Sequence, residues 1–147
     1  MNKHFDRFKK IITNPIQFKF FLLSKLPAAF FAGLSIHEFT EAKSVVRVKH
    51  NWWTQNPFRS MYFAVEAMAA EMASGMLVFG QVYKRQPAIS MLVIKMEVEF
   101  VKKATGVILF TCEEGEKIQE QIELYAEYGK TYFQLRASLF LFVKAIR

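Results

Sequence analysis

Cysteine is nearly missing from this chain: Cys112 is the one thiol in 147 residues, which excludes an internal disulfide and fits a reducing, cytoplasmic compartment. It reads as a small core residue, not a nucleophile. Histidine is scarce too. His4, His37 and His50 stand too far apart to form a ligand cluster with Cys112 or a carboxylate, so no metal is expected. The six glycines and four prolines build no phosphate-cradling loop, no Gly-x-Ser-x-Gly elbow and no flexible linker. Nucleotide hydrolysis and serine-esterase chemistry therefore have no basis here, and no cofactor is implied. Acidic residues are thin at the start: residues 1–30 hold six Lys or Arg against one Asp, a net charge of +5, whereas the rest of the chain carries +2. That asymmetry fits the solvated faces of terminal helices or attraction to an acidic surface. No clustered basic run calls for nucleic acid.

What the chain has in abundance is apolar bulk. Half of its residues are hydrophobic, sixteen of them Phe, and 147 residues suffice for one domain with a sizeable core. Between Ser60 and Gly80 the only ionisable side chains are Glu66 and Glu71, so a helix there is apolar on nearly every face, the pattern of a helix buried on all sides. About twenty residues at 1.5 Å each could cross a bilayer, but two carboxylates inside the run and Arg59 at its mouth argue for a covering of protein. The two acids lie five residues apart, about 140° around the axis at 100° per residue, so only one need be buried. Ala67, Met68, Ala70, Met72 and Gly75 surround Glu71, which is therefore the expected buried acid. A buried carboxylate needs a partner or serves a purpose. The alternative for Glu71 is emergence at a groove or a salt bridge to a strand lysine.

Along the chain, Phe5, Phe8, Ile11 and Ile12 share one face of an amphipathic helix. Asn14 before Pro15 is an N-cap followed by proline at the first helical position, opening a second helix that Pro27 should end. The Phe-rich, Lys-flanked character of residues 1–26 also fits peripheral contact with a membrane. Lys25 and Pro27 interrupt any resemblance to a signal-peptide core. From Gly33 the period becomes alternating, with strands expected over residues 34–40, 44–50, 91–100, 107–112 and 133–143. A surface helix carrying Ile118, Ile122 and Tyr125 precedes the last of these and should stop at Gly129. The apolar outer face of that last strand, with Phe140 and Phe142, suggests a covered surface or an oligomer contact.

Antiparallel strands around one long apolar helix make an α+β fold, and the residues here resemble the hotdog-fold thioesterases, in particular the branch of the phenylacetate-pathway enzymes. In that branch an Asn opens the loop before the central helix, and an acid follows fifteen residues later. Asn56 and Glu71 stand at this spacing in NPFRSMYFAVEAMAAE. The resemblance covers about residues 33–147 as the hotdog core and leaves 1–32 as an N-terminal helical extension. A less characterised, thioesterase-like subgroup that shares the short helix before the last strand is closer still. Where the family has His-Gly-Gly, this chain has Tyr62, Phe63 and Ala64, and Arg59 takes a place usually given to glycine.

The resemblance implies an acyl-thioester hydrolase acting on acyl-CoA or acyl-carrier thioesters. Glu71 would be the general base or nucleophile, Asn56 would orient water or substrate, and the Phe63 N–H would stabilise the oxyanion. Ser74 would steady the carboxylate. Ser60, Tyr62 and Ala64 would border the substrate, and Arg59, Lys84 and Arg85 are candidates for the carrier phosphates. In hotdog enzymes the site lies between two subunits, which implies a homodimer, with a tetramer as the further possibility. The other reading is a non-catalytic acyl- or lipid-binding protein whose Phe and Met residues line an adaptable tunnel.

Overall fold

The computed structural model describes residues 2–86, 88–91, 93 and 96–128, so the expected strand at 133–143 and the stop at Gly129 lie outside the described residues. Three helices open the chain: α1 (Phe5–Thr13), α2 (Pro15–Lys25) and α3 (Pro27–Phe31). Two strands follow, β1 (Ser35–Phe39) and β2 (Ser44–Lys49), then the long α4 (Phe63–Val82), β3 (Val107–Cys112) and α5 (Gly115–Tyr128). The sheet is antiparallel in the order β1-β2-β3, and α4 packs on it. The fold is α+β.

Alternation in the sequence becomes a two-faced sheet. Val46 lies opposite Phe110 and Val48 opposite Ile108, and all four are buried. This sheet packs against α4, where Ala69, Ala70 and Ala73 are buried, while Gly80 near the far end of the helix makes room for the Phe5 and Phe8 rings of α1. On its other edge β2 pairs with β1, whose register shifts between Ile36 and Glu38. The extra residue there is His37.

The helix signals read from the sequence hold. Asn14 caps α2, its side-chain Oδ1 accepting from the N–H of Ile16 at 3.0 Å and of Gln17 at 3.1 Å, with Pro15 opening the helix. Pro27 ends α2 as expected, yet it also opens α3, because a proline at the first helical position loses no intrahelical bond. Phe5, Phe8 and Ile12 of α1 join the same hydrophobic cluster as the sheet and α4, and the Phe5 ring stacks on Phe39 at 5.4 Å. Asn2 closes the far end of α4. Its Nδ2 donates to the carbonyls of Gly80 at 3.0 Å and Tyr83 at 2.7 Å, two of the orphan acceptors of a helix C-terminus. Lys84 follows with φ +54°, the left-handed turn that ends the helix.

Ile118 and Ile122 press α5 against α4. Its first residue, Gly115, donates to the carbonyl of Ala42 at 3.0 Å and lies so close to the β1–β2 turn that a Cβ would strike the Glu41 carbonyl. The expected strand over 91–100 is not formed among its described residues; Met91, Val93, Met96 and Phe100 are exposed there. Alternation fixes which side chains share a face, but a strand also needs a neighbouring backbone to bond.

Candidate functional site

The loop from Asn51 to Tyr62 prepares the start of α4. Asn56 holds it together: Oδ1 accepts from Phe58 N–H at 2.9 Å and Ser60 N–H at 3.2 Å, while Nδ2 donates to the Ser60 hydroxyl at 3.1 Å and the Met61 carbonyl at 3.0 Å. Both amide hydrogens and the amide oxygen are engaged inside the loop. This corrects the expectation that Asn56 orients water or substrate, because the side chain has no donor left for either. Arg59 turns the chain with φ +59°, the left-handed conformation that favours glycine, at the very place the family usually gives to glycine. Its guanidinium side chain is exposed.

The loop ends in a tight lattice of backbone bonds. Tyr62 N–H donates to Thr54 at 2.7 Å and Met61 N–H to Ala104 at 2.9 Å, which brings the 100–104 segment alongside the helix start. Tyr62 takes the N-cap position without a side-chain cap, so among the described residues the N–H groups of Phe63 and Ala64 have no hydrogen-bond partner. They sit at the positive end of the α4 dipole.

Beside these donors lies a groove of about 310 Å³, lined by Asn56, Ser60, Met61, Phe63, Glu66 and residues 100–104. Glu66 is the carboxylate in it. Its residue is 7 % exposed, it has no hydrogen-bond or ion-pair partner among the described residues, and burial pushes its pKa above the ordinary value. Glu71 does the opposite. The buried acid expected at Glu71 is a correction: Glu71 is exposed, and Glu66 is the buried acid, beside the Asn56–Met61 loop and residues 100–104. The physical reason is the docking of α4, since the five-residue offset lets only one of the two acids face inward.

Ser74 does not steady the Glu71 carboxylate either; its hydroxyl donates to the Glu71 backbone carbonyl at 3.1 Å. Ser60 is buried and joined to Asn56, Tyr62 is exposed, and Ala64 is half-buried. Lys84 and Arg85 follow the other end of α4, about 30 Å from its start at 1.5 Å per residue, so they cannot share a phosphate with Arg59 of the same chain. Lys102 and Lys103 line the groove instead, with Lys103 Nζ 3.2 Å from the Phe58 carbonyl. Their place was not legible in the sequence, where they fall between two expected strands. Across the groove the rings of Phe63 and Phe100 meet edge to face at 5.6 Å.

Elsewhere the chemistry is sparse. Among the described residues no three His, Cys, Asp or Glu side chains gather as a metal site. Cys112 is buried, and burial together with the neighbouring Glu113 and Glu114 carboxylates pushes its thiol up, against a backbone hydrogen bond at Glu114 that lowers it. A second concavity, on the exposed side of α5, is lined by Glu116, Gln119, Glu120, Glu123 and Leu124 of that one helix.

No curated protein matches the chain. Two solved structures are similar in fold: a protein of unknown function from Chlorobaculum tepidum TLS, at TM-score 0.64 and 18 % identity over 80 % of this chain and 76 % of that one, and a structural-genomics crystal structure, at TM-score 0.60 and 17 % identity over 78 % and 74 %. The sequence pattern of one family spans residues 16–139, from α2 through α5 and beyond, and on that match the chain belongs to the family described as a domain of unknown function, DUF4442.

Proposed function

We propose that this protein is a hotdog-fold acyl-thioester hydrolase whose working carboxylate is Glu66. The observation that carries this reading is that Glu66, a buried acid unpartnered among the described residues, lines the same groove as Phe63, whose N–H is unbonded among them at the start of α4. A thioester carbonyl oxygen seated at that N–H develops negative charge as water attacks its carbon. Glu66 accepts the proton of that water, the tetrahedral intermediate expels the thiolate, and Glu66 returns the proton to sulfur, leaving an acid and a thiol. The raised pKa makes Glu66 a stronger base than an ordinary glutamate. Lys102 and Lys103 supply positive charge along the groove for an anionic carrier, and Arg59 adds an exposed charge on the loop that borders it.

The test is hydrolysis of acyl-CoA substrates from short to long chain by the wild type, Glu66→Gln and Glu71→Gln. Glu66→Gln should lower kcat by roughly 10²-fold or more and Glu71→Gln should leave it unchanged. The reverse order would place the site between two subunits, with Glu71 facing a second chain, and would remove Glu66 from the mechanism.

A second reading is a non-catalytic acyl- or lipid-binding protein of the same fold. It is favoured by the full engagement of Asn56 within its own loop and by the Phe63–Phe100 pair that narrows the groove. A wild type that turns over no thioester but carries fatty acid through purification would establish this reading over the first.

A further inference from the structure

Helix α2 is apolar on two opposite sides. Phe18 and Leu22 are buried against the protein, yet Ile16, Phe20 and Leu23, spaced i, i+4 and i+7, form a second stripe that faces outward, with Phe20 69 % exposed. One core explains one stripe. A second group of exposed aromatics lies at the end of α3, the helix that packs on α2: its last residue Phe31 stacks on Trp53 at 6.3 Å, and Trp53 meets Trp52 edge to face at 5.2 Å. Both tryptophans are exposed, at 74 % for Trp52 and 66 % for Trp53. Exposed tryptophans beside an apolar stripe suit a boundary that is apolar on one side and wet on the other.

Charge selects what covers this face. Residues 1–30 carry +5 of the chain's +7, and Lys19 and Lys25 are exposed on the same helix as the stripe. A second copy of the chain meeting itself through this face would bring two cationic segments together, whereas anionic headgroups complement them. We propose that the outer face of α2, with Phe31 and the Trp52–Trp53 turn, docks on the surface of an anionic bilayer. The apolar side chains enter the headgroup boundary and the lysines stay with the phosphates. This docking is independent of any hydrolytic step. It does set the groove near the lipid, because the loop that carries the tryptophans also carries Asn56 and Arg59.

The full chain should be sedimented with vesicles of phosphatidylcholine alone and of phosphatidylcholine and phosphatidylglycerol in equal parts, at low and high salt. The expected result is binding to the mixed vesicles that weakens with salt, a blue shift of tryptophan emission, and a loss of about tenfold or more in the partition constant for Phe20→Glu/Leu23→Glu and for Lys19→Glu/Lys25→Glu. All four positions are exposed, so circular dichroism should show the variants folded as the wild type. Equal binding to both vesicle types, no binding to either, or variants that sediment as the wild type would overturn the proposal. So would a stripe variant that changes the oligomeric state while vesicles leave the wild type unbound, since the face would then belong to a second copy.

Discussion

The side chain of Asn2 donates to the backbone carbonyl of Tyr83 at 2.7 Å across 81 positions of sequence, so the first described residue closes the last turn of the central helix. With its second bond, to Gly80, it satisfies two acceptors that α4 cannot satisfy itself. Asn2→Ala should lower the unfolding free energy by about 1–3 kcal/mol, because carbonyls at a packed helix end would be left unpaired. Urea denaturation measures this, and an unchanged midpoint would show that water replaces the amide without loss.

Next to that cap, Gln81 is 1 % exposed, and among the described residues neither atom of its amide has a hydrogen-bond partner. A buried amide without partners is destabilising. Gln81→Met, close in size, should raise stability by about 1–3 kcal/mol. A loss of stability in thermal unfolding would mean that the amide has a bonding role in the folded protein.

Glu66 gives a signed pH dependence. Burial raises its pKa in the folded protein above the ordinary 4.5, so between the two values the folded state holds the proton and the unfolded state has released it. The stability linked to this group is therefore fully present below the ordinary value and falls as pH rises through the raised one. Glu66→Gln should flatten this decline and leave the protein more stable than wild type at neutral pH. Denaturation across pH 4 to 8 that shows the same slope in both proteins would mean that Glu66 is solvated when folded.

Phe63 separates the main-chain donor from its side chain. Proline is tolerated at the first position of a helix, and Tyr62 already has the extended backbone, φ −72° and ψ 133°, that a following proline requires. Phe63→Pro should leave α4 intact yet remove one proposed oxyanion donor, lowering thioester hydrolysis by roughly 10²-fold, while Phe63→Ala widens the groove and keeps the donor. Equal activity of the two variants would remove the Phe63 N–H from the mechanism.

Gly115 is a steric prediction. A Cβ there would run into the Glu41 carbonyl and the Ala42 backbone, groups that cannot swing aside as a side chain can. Gly115→Ala should destabilise the fold by about 1–3 kcal/mol and increase amide hydrogen exchange in α5. If exchange rises nowhere in the helix, the β1–β2 turn has moved instead.

Local chemistry was legible in the chain. The alternation over 44–49 and 107–112 names Val46, Val48, Ile108 and Phe110 as one face, and Asn14-Pro15 announces the start of α2, because period and capping depend on neighbours a few residues away. The long apolar helix is equally plain. Which of its two acids is buried is not, because a helix apolar all round looks the same from every side. Docking against β2 and β3 turns Glu66 inward and leaves Glu71 outside. The same holds for Asn56, whose amide is consumed by its own loop, and for Lys102 and Lys103, brought to the groove by the bond from Met61 to Ala104. Periodicity states what a segment can bury. Only the packing of distant segments decides which polar groups are caught inside, since desolvation depends on every element that covers them.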